Sequence, residues 1–250
     1  MEMAVAAMLF GAGLVGGTAN AIAGGATLVT FPAMMAAGLT PIVANASNAL
    51  AVLPGALVAA VADRTRLPPA GRMLAGVLLS SLVGGAAGAV LLMITSERAF
   101  ALMVPALIGF ATLIFAFGRR IQSAVSGLAS GAPGLRAALV FPATVYGGYF
   151  GAGLGVMLMA VLAITGREDI RAANALKNLC STVANLTAVT VFVLRGLVSW
   201  PETLVMLTGA VAGGYAGGRL ISVLPPQAVR CAIIVIGTLV TLVYAWRTWV

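Results

Sequence analysis

Charge is what this sequence has least of. Only 8% of its 250 residues are charged, six of them acidic, and histidine is absent. A soluble globule carries about 25% charged residues to keep its surface wet, so a soluble fold of this size is excluded. The missing histidine removes Ser–His dyads, haem-ligating histidines and His-rich metal sites together. No cofactor or metal is expected. Cysteine is nearly absent too, and Cys180 and Cys231 both lie in apolar stretches and read as unpaired small hydrophobes. The net charge is +8, yet no Lys/Arg-rich run exists. Basic residues scattered among short loops speak for orientation in a membrane and against nucleic acid as a partner. The N-terminus also lacks the basic stretch that opens a cleavable signal, so the first apolar segment is expected in the mature fold.

What the sequence does have is apolar side chain: 61% of residues are hydrophobic, with mean hydropathy +1.10. A spanning helix needs about 20 apolar residues. Charges and turn residues delimit apolar segments at 3–39, 43–62, 73–95, 99–118, 137–165, 172–194, 203–220 and 228–245, with 119–136 the longest polar loop. The lipid bilayer is therefore the solvent of one membrane domain. Trp200, Trp246 and Trp249 read as anchors at its interfaces.

Two segments are odd. Segment 3–39 is too long for one helix across a hydrocarbon core of about 30 Å, and Asn20-Ala21-Ile22-Ala23-Gly24-Gly25 interrupts it. Segment 137–165 carries Tyr146-Gly147-Gly148-Tyr149-Phe150-Gly151-Ala152-Gly153-Leu154-Gly155. Such glycine density breaks a helix. Freed backbone groups survive in a membrane only when buried in protein or lining a polar cavity.

The halves also match. At a shift of 129 residues, Ala44-Asn45-Ala46 falls on Ala173-Asn174-Ala175, and Gly84, Gly85 and Gly88 fall on Gly213, Gly214 and Gly217. Glycines four apart let helices pack closely. If both glycine-broken segments return to the face they entered, ten arginines gather on one face and three on the other. If both cross, the division is eight against five. The first fits the positive-inside rule better and orients the halves oppositely. The expected fold is thus an all-α integral membrane protein of two inverted four-element repeats, 1–118 and 137–250. Each repeat is a re-entrant, broken helical hairpin plus three transmembrane helices. The linker 119–136 is expected to be cytoplasmic and both termini outside.

Polar residues inside spans are costly and therefore informative. Asn174, Lys177, Asn178, Ser181 and Asn185 share one helix face, and the matching span holds Asn45 and Asn48. At the shift of 129, Lys177 takes the place of Asn48. One fixed cation among neutral donors suits a small oxyanion, with backbone N–H groups of the glycine turns as further donors. The acids Asp63, Glu97, Glu168, Asp169 and Glu202 all lie at edges or in loops, so no intramembrane proton relay is expected. An enzyme is not expected, since Lys177 with Ser181 is the only conceivable dyad.

Ala19-Asn20-Ala21-Ile22-Ala23-Gly24-Gly25, Phe31-Pro32, Ala44-Asn45-Ala46-Ser47-Asn48, the run from Tyr146 to Gly155 and Ala173-Asn174-Ala175-Leu176-Lys177-Asn178-Leu179 resemble motifs of the sulfite exporter TauE/SafE family. The resemblance covers nearly the whole chain. It implies a multi-pass inner-membrane permease for small sulfur-containing or organic anions such as sulfite, sulfonates or sulfoacetate. The candidate substrate-binding residues are Asn20, Gly24, Gly25, Asn45, Asn48, Tyr149, Gly151, Gly153, Asn174, Lys177, Asn178 and Ser181. Export by alternating access, driven by the membrane potential, is the leading expectation. An anion channel, or an importer coupled to H⁺ or Na⁺, is the alternative. The sequence leaves the oligomeric state open.

Overall fold

The computed structural model describes residues 2–22, 25–126, 134–165, 169–220 and 225–249. Among these, the chain forms ten α-helices and one 3-10 turn at Arg64–Arg66. In order they are α1 (Met3–Ile22), α2 (Thr27–Ala36), α3 (Pro41–Ala62), α4 (Arg72–Ile94), α5 (Glu97–Val125), α6 (Leu135–Tyr149), α7 (Leu154–Thr165), α8 (Ile170–Leu194), α9 (Trp200–Leu220) and α10 (Pro226–Trp249).

Local chemistry sets the helix starts. Pro41 opens α3 after the extended Thr40, where its fixed φ suits the first turn. The Ser96 hydroxyl caps α5 by accepting from the Ala99 N–H at 3.2 Å. Asp169 caps α8 by accepting from the Arg171 N–H at 3.3 Å. Both glycine-rich segments break where expected, α1 from α2 and α6 from α7. Gly25, Gly151 and Gly153 take φ of +88°, +82° and +81°, a region costly for any residue with a Cβ.

Among the described residues, six helices are long and apolar enough to cross a membrane: Met3–Ile22, Pro41–Ala62, Arg72–Ile94, Glu97–Gly118, Ile170–Leu194 and Gln227–Trp249. Five are expected spans. The sixth, α1, has 20 residues, where the sequence suggested a half-helix. Helix α1 ends at Ile22, inside the expected interruption, and Gly25 just beyond it takes the left-handed turn. In the other direction, α9 has 21 residues but is not among the six. Its glycines and Glu202 lower its hydropathy. The expected loop 119–136 is also shorter than its polarity suggested, since α5 stays helical to Val125 and α6 begins at Leu135.

Glycine seams hold the bundle together. A methyl on Gly13 or Gly17 of α1 would strike the Met206 or Ala210 carbonyl of α9, and one on Gly209 or Gly213 would strike the Phe10 or Leu14 carbonyl of α1. Residue numbers rise together along this seam, so α1 and α9 run parallel. Gly84 and Gly88 of α4 press likewise on Thr144 and Val145 of α6, again in parallel. By contrast, Thr182 Oγ1 donates to the Ala56 carbonyl at 2.9 Å and the Asn178 amide to Asp63 at 2.8 Å, so α3 and α8 run antiparallel. Trp249 Nε1 donates to the Leu102 carbonyl and Arg230 to that of Phe115, which makes α5 and α10 antiparallel as well. The element boundaries keep the shift of 129: Pro41 falls on Ile170 and Glu97 on Pro226. Large apolar side chains such as Leu79, Ile94, Leu239 and Trp246 stay exposed, as lipid-facing positions must.

Candidate functional site

A cavity of about 680 Å³ lies between the two helix breaks and the ends of α3 and α5 that carry Asp63 and Gln122. Of the twelve candidate residues, eight line it: Asn20, Gly25, Gly151, Gly153, Asn174, Lys177, Asn178 and Ser181. They meet because α8 turns its polar face inward while both breaks end against it. Asn185 continues that face. Gly24 lies outside the described residues.

The other three stand elsewhere. The Asn45 amide donates to the Tyr149 carbonyl at 2.9 Å, tying α3 to the end of α6. Asn48 accepts from the Thr30 hydroxyl of α2. Tyr149 reaches the Thr95 hydroxyl with its own at 3.5 Å. Asn45, Asn48 and Tyr149 are buried and hold helices together. The positions of Asn48 and Lys177, matched in sequence, therefore do not share one cavity.

These three belong to a buried, aromatic-rich region beside the breaks. Phe31 meets Phe150 edge-on at 5.3 Å, and Phe100 meets Tyr149 at 5.6 Å. Thr40 donates to the Glu97 carboxylate at 2.8 Å, joining the starts of α3 and α5. Along α5, Phe100 of this cluster and Phe115 of the cavity wall are about 22 Å apart at 1.5 Å per residue.

Two charged groups in the cavity wall were not among the candidates. Asp63 follows the last residue of α3 and looks like a loop residue in sequence. The antiparallel packing of α3 on α8 turns it inward, where its Oδ2 accepts from the Asn178 amide at 2.8 Å and the Asn174 amide at 3.3 Å. Asp63 does stand at the end of its helix, as expected, and from there it also lines the cavity. Arg230, near the start of the expected segment 228–245, lies in α10 with its guanidinium 5.8 Å from the Phe115 ring centroid, donating to the Phe115 and Ala116 carbonyls at 2.8 and 3.2 Å. No signal in the sequence marked either residue as cavity-facing, since each depends on which helix packs beside it.

Chemically, the wall offers an ammonium, amide and hydroxyl donors, a guanidinium and one carboxylate. Lys177 Nζ donates to Asn174 Oδ1 at 2.8 Å. Among the described residues, no group of three or more His, Cys, Asp or Glu side chains gathers to hold a metal ion.

Membrane-length helices around a polar cavity, with glycine-broken segments at its base, define a multi-pass integral membrane protein. The chain belongs to the sulfite exporter TauE/SafE family, whose model matches residues 9–244. It is 28% identical to a "Probable membrane transporter protein" of Haemophilus influenzae, over 94% of this chain and 92% of that one. It is 26% identical to "Probable membrane transporter protein YfcA" of Escherichia coli K12, covering 94% and 87%. It is 27% identical to "Probable membrane transporter protein ORF9" of a Sinorhizobium species, covering 85% and 82%. No solved structure matches the fold.

Proposed function

We propose that this protein carries a small anion of the sulfite, sulfonate or sulfoacetate class across the inner membrane by alternating access, and exports it down the membrane potential. The observation that carries this reading is Lys177, a cation two turns into a span, facing a cavity among Asn174, Asn178 and Ser181. An ammonium in a low-dielectric site is costly unless an anion or a polar shell balances it. Backbone N–H groups where α7 starts, beside Gly153, add donors for an oxyanion. An anion leaving a negative-inside cell gains about 2.3 kcal/mol per charge per 100 mV, so export needs no coupling ion.

Alternating access would come from two inverted repeats, 1–118 and 137–250. Supporting this, the helices matched by the shift of 129, α3 with α8 and α5 with α10, run antiparallel, as a two-fold axis in the membrane plane requires. The seams α1–α9 and α4–α6 exchange partners in the same sense. With the linker 119–136 in the cytoplasm, the cavity faces inward and the aromatic cluster seals the outside.

The test is a thermal-shift screen of the purified protein against sulfite, thiosulfate, sulfonates and carboxylates, followed by flux in proteoliposomes. A sulfur oxyanion should stabilise the protein and move electrogenically. No stabilisation and no flux with any anion would end this reading. Coupled import is the second reading, favoured by Asp63 in the cavity wall. Flux that follows an imposed H⁺ or Na⁺ gradient would select it.

A further inference from the structure

Asp63 stands between two spaces. On one side is the main cavity, where the Asn174 and Asn178 amides both donate to its Oδ2. On the other is a smaller recess of about 290 Å³ that Asp63 lines together with Arg66, Arg171 and Asn174. Its Oδ1 lies 2.8 Å from Arg66 Nη1, and the Arg66 side chain is 51% exposed against 16% for that of Asp63. Asn174 is the hinge of the arrangement: its oxygen accepts from Lys177 while its nitrogen donates to Asp63. The carboxylate thus sits in an anion seat, its inner oxygen held by two neutral amides and its outer oxygen by Arg66, and is joined through the Asn174 amide to the fixed cation.

We propose that Asp63 is a tethered anion that fills this seat in the empty protein, and that a small anion binds by driving its carboxylate out toward Arg66. The inference rests on the anion-carrier reading above and names a residue that sets its specificity. The geometry supplies each part. The donors that would hold a substrate oxyanion are those now holding Asp63. The departing carboxylate keeps its Arg66 contact and has a basic recess to enter. Its place at the junction of α3 and the 3-10 turn lets the side chain turn without disturbing a helix interior.

Two consequences follow. An empty cavity keeps the lysine's charge balanced, which lowers the cost of burying it while no substrate is bound. A solute must also outcompete a carboxylate for two amides, so neutral molecules of the same size are rejected. A seat occupied nine-tenths of the time lowers apparent affinity about tenfold.

The experiment titrates sulfite against the full chain in detergent, reading thermal shift for wild type, Asp63→Asn, Arg66→Ala and the double variant. Asp63→Asn should lower half-saturating sulfite about tenfold. Arg66→Ala should raise it several-fold, because the displaced carboxylate, having lost both amides, leans on Arg66 more than the seated one does. In the double variant, Arg66→Ala should add nothing, since it acts through Asp63. Asp63→Ser replaces Asp63→Asn if the latter does not purify as a single species. The proposal is overturned if removing the carboxylate leaves sulfite affinity equal or weaker. It is overturned equally if Arg66→Ala weakens binding alike with and without Asp63, which is what simple charge loss would do. Sulfite binding to none of the proteins, wild type included, would remove the anion reading and this inference with it.

Discussion

The Lys177 ammonium donates to Asn174 Oδ1 at 2.8 Å, one turn back along α8, so a neutral amide stands between the cavity's lysine and the Asp63 carboxylate. The lysine is thereby fixed in place without being consumed by an ion pair. Lys177 lines the cavity of about 680 Å³ beside it.

Replacing Lys177 by alanine should abolish anion flux in proteoliposomes while the protein still purifies as a folded species, because a methyl leaves no unpaired charge behind. Lys177→Arg should impair flux as well, since a planar fork does not reproduce a compact ammonium. Near-normal flux in Lys177→Ala would reduce the residue to a structural lysine.

The asparagines should divide by location. Asn174→Ala and Asn178→Ala should weaken anion binding about tenfold or more, the loss of a charge-assisted hydrogen bond of about 1.5–3 kcal/mol. Asn45→Ala and Asn48→Ala should lower the thermal midpoint, by about 1–3 kcal/mol of stability, through the partners they leave buried. Anion titration and melting of the four variants check the division. Equal effects on binding from both pairs would extend the site beyond the cavity.

Much of this was legible in the sequence, and for physical reasons. Glycine runs announce breaks because glycine alone adopts φ near +80° without steric cost, and Gly25, Gly151 and Gly153 supply the turns. The polar face of α8 was legible because helical periodicity puts Asn174, Lys177, Asn178 and Ser181 on one side. What sequence does not contain is which helix lies opposite. Asn48 looked like the partner of Lys177, but it turns toward Thr30 on α2. Asp63 looked like a loop charge and Arg230 like a charge at a span's end, but each lines the cavity because an antiparallel neighbour brings it there. The end of α1 was legible in the Asn20–Gly25 interruption, but a half-helix was expected there although its 20 residues are enough to span.

Gly17→Val and Gly88→Val should each cost about 1–3 kcal/mol or more, the usual penalty of overpacking. A side chain at either place meets a backbone carbonyl, Ala210 in one case and Val145 in the other, and carbonyls on packed helices have little room to move. Gly11→Val, where a Cβ meets nothing within 4 Å, is the control. Melting curves of the three variants decide the matter. Equal midpoints would show the seams to be loose.

Orientation is open to direct labelling. With Cys231, which is exposed, changed to serine, a cysteine at Ser126 just past α5 should resist an impermeant thiol reagent in intact cells and react in inverted vesicles. Efficient labelling of intact cells would turn the protein over in the membrane.

The glycine seams have a consequence for how the chain is made. Helix α1 finds its close partner in α9, and α4 in α6, so each tight seam joins the two halves. When the ribosome has released only the first half, the bare stripe of Gly13 and Gly17 and that of Gly84 and Gly88 still face lipid with nothing to grip. Tight packing has to wait for late helices, and α1 waits until nearly two hundred further residues have been synthesised. Biosynthesis should therefore pass through a long-lived, loosely assembled set of inserted helices, the form most exposed to membrane proteases and most dependent on insertion factors that hold helices together.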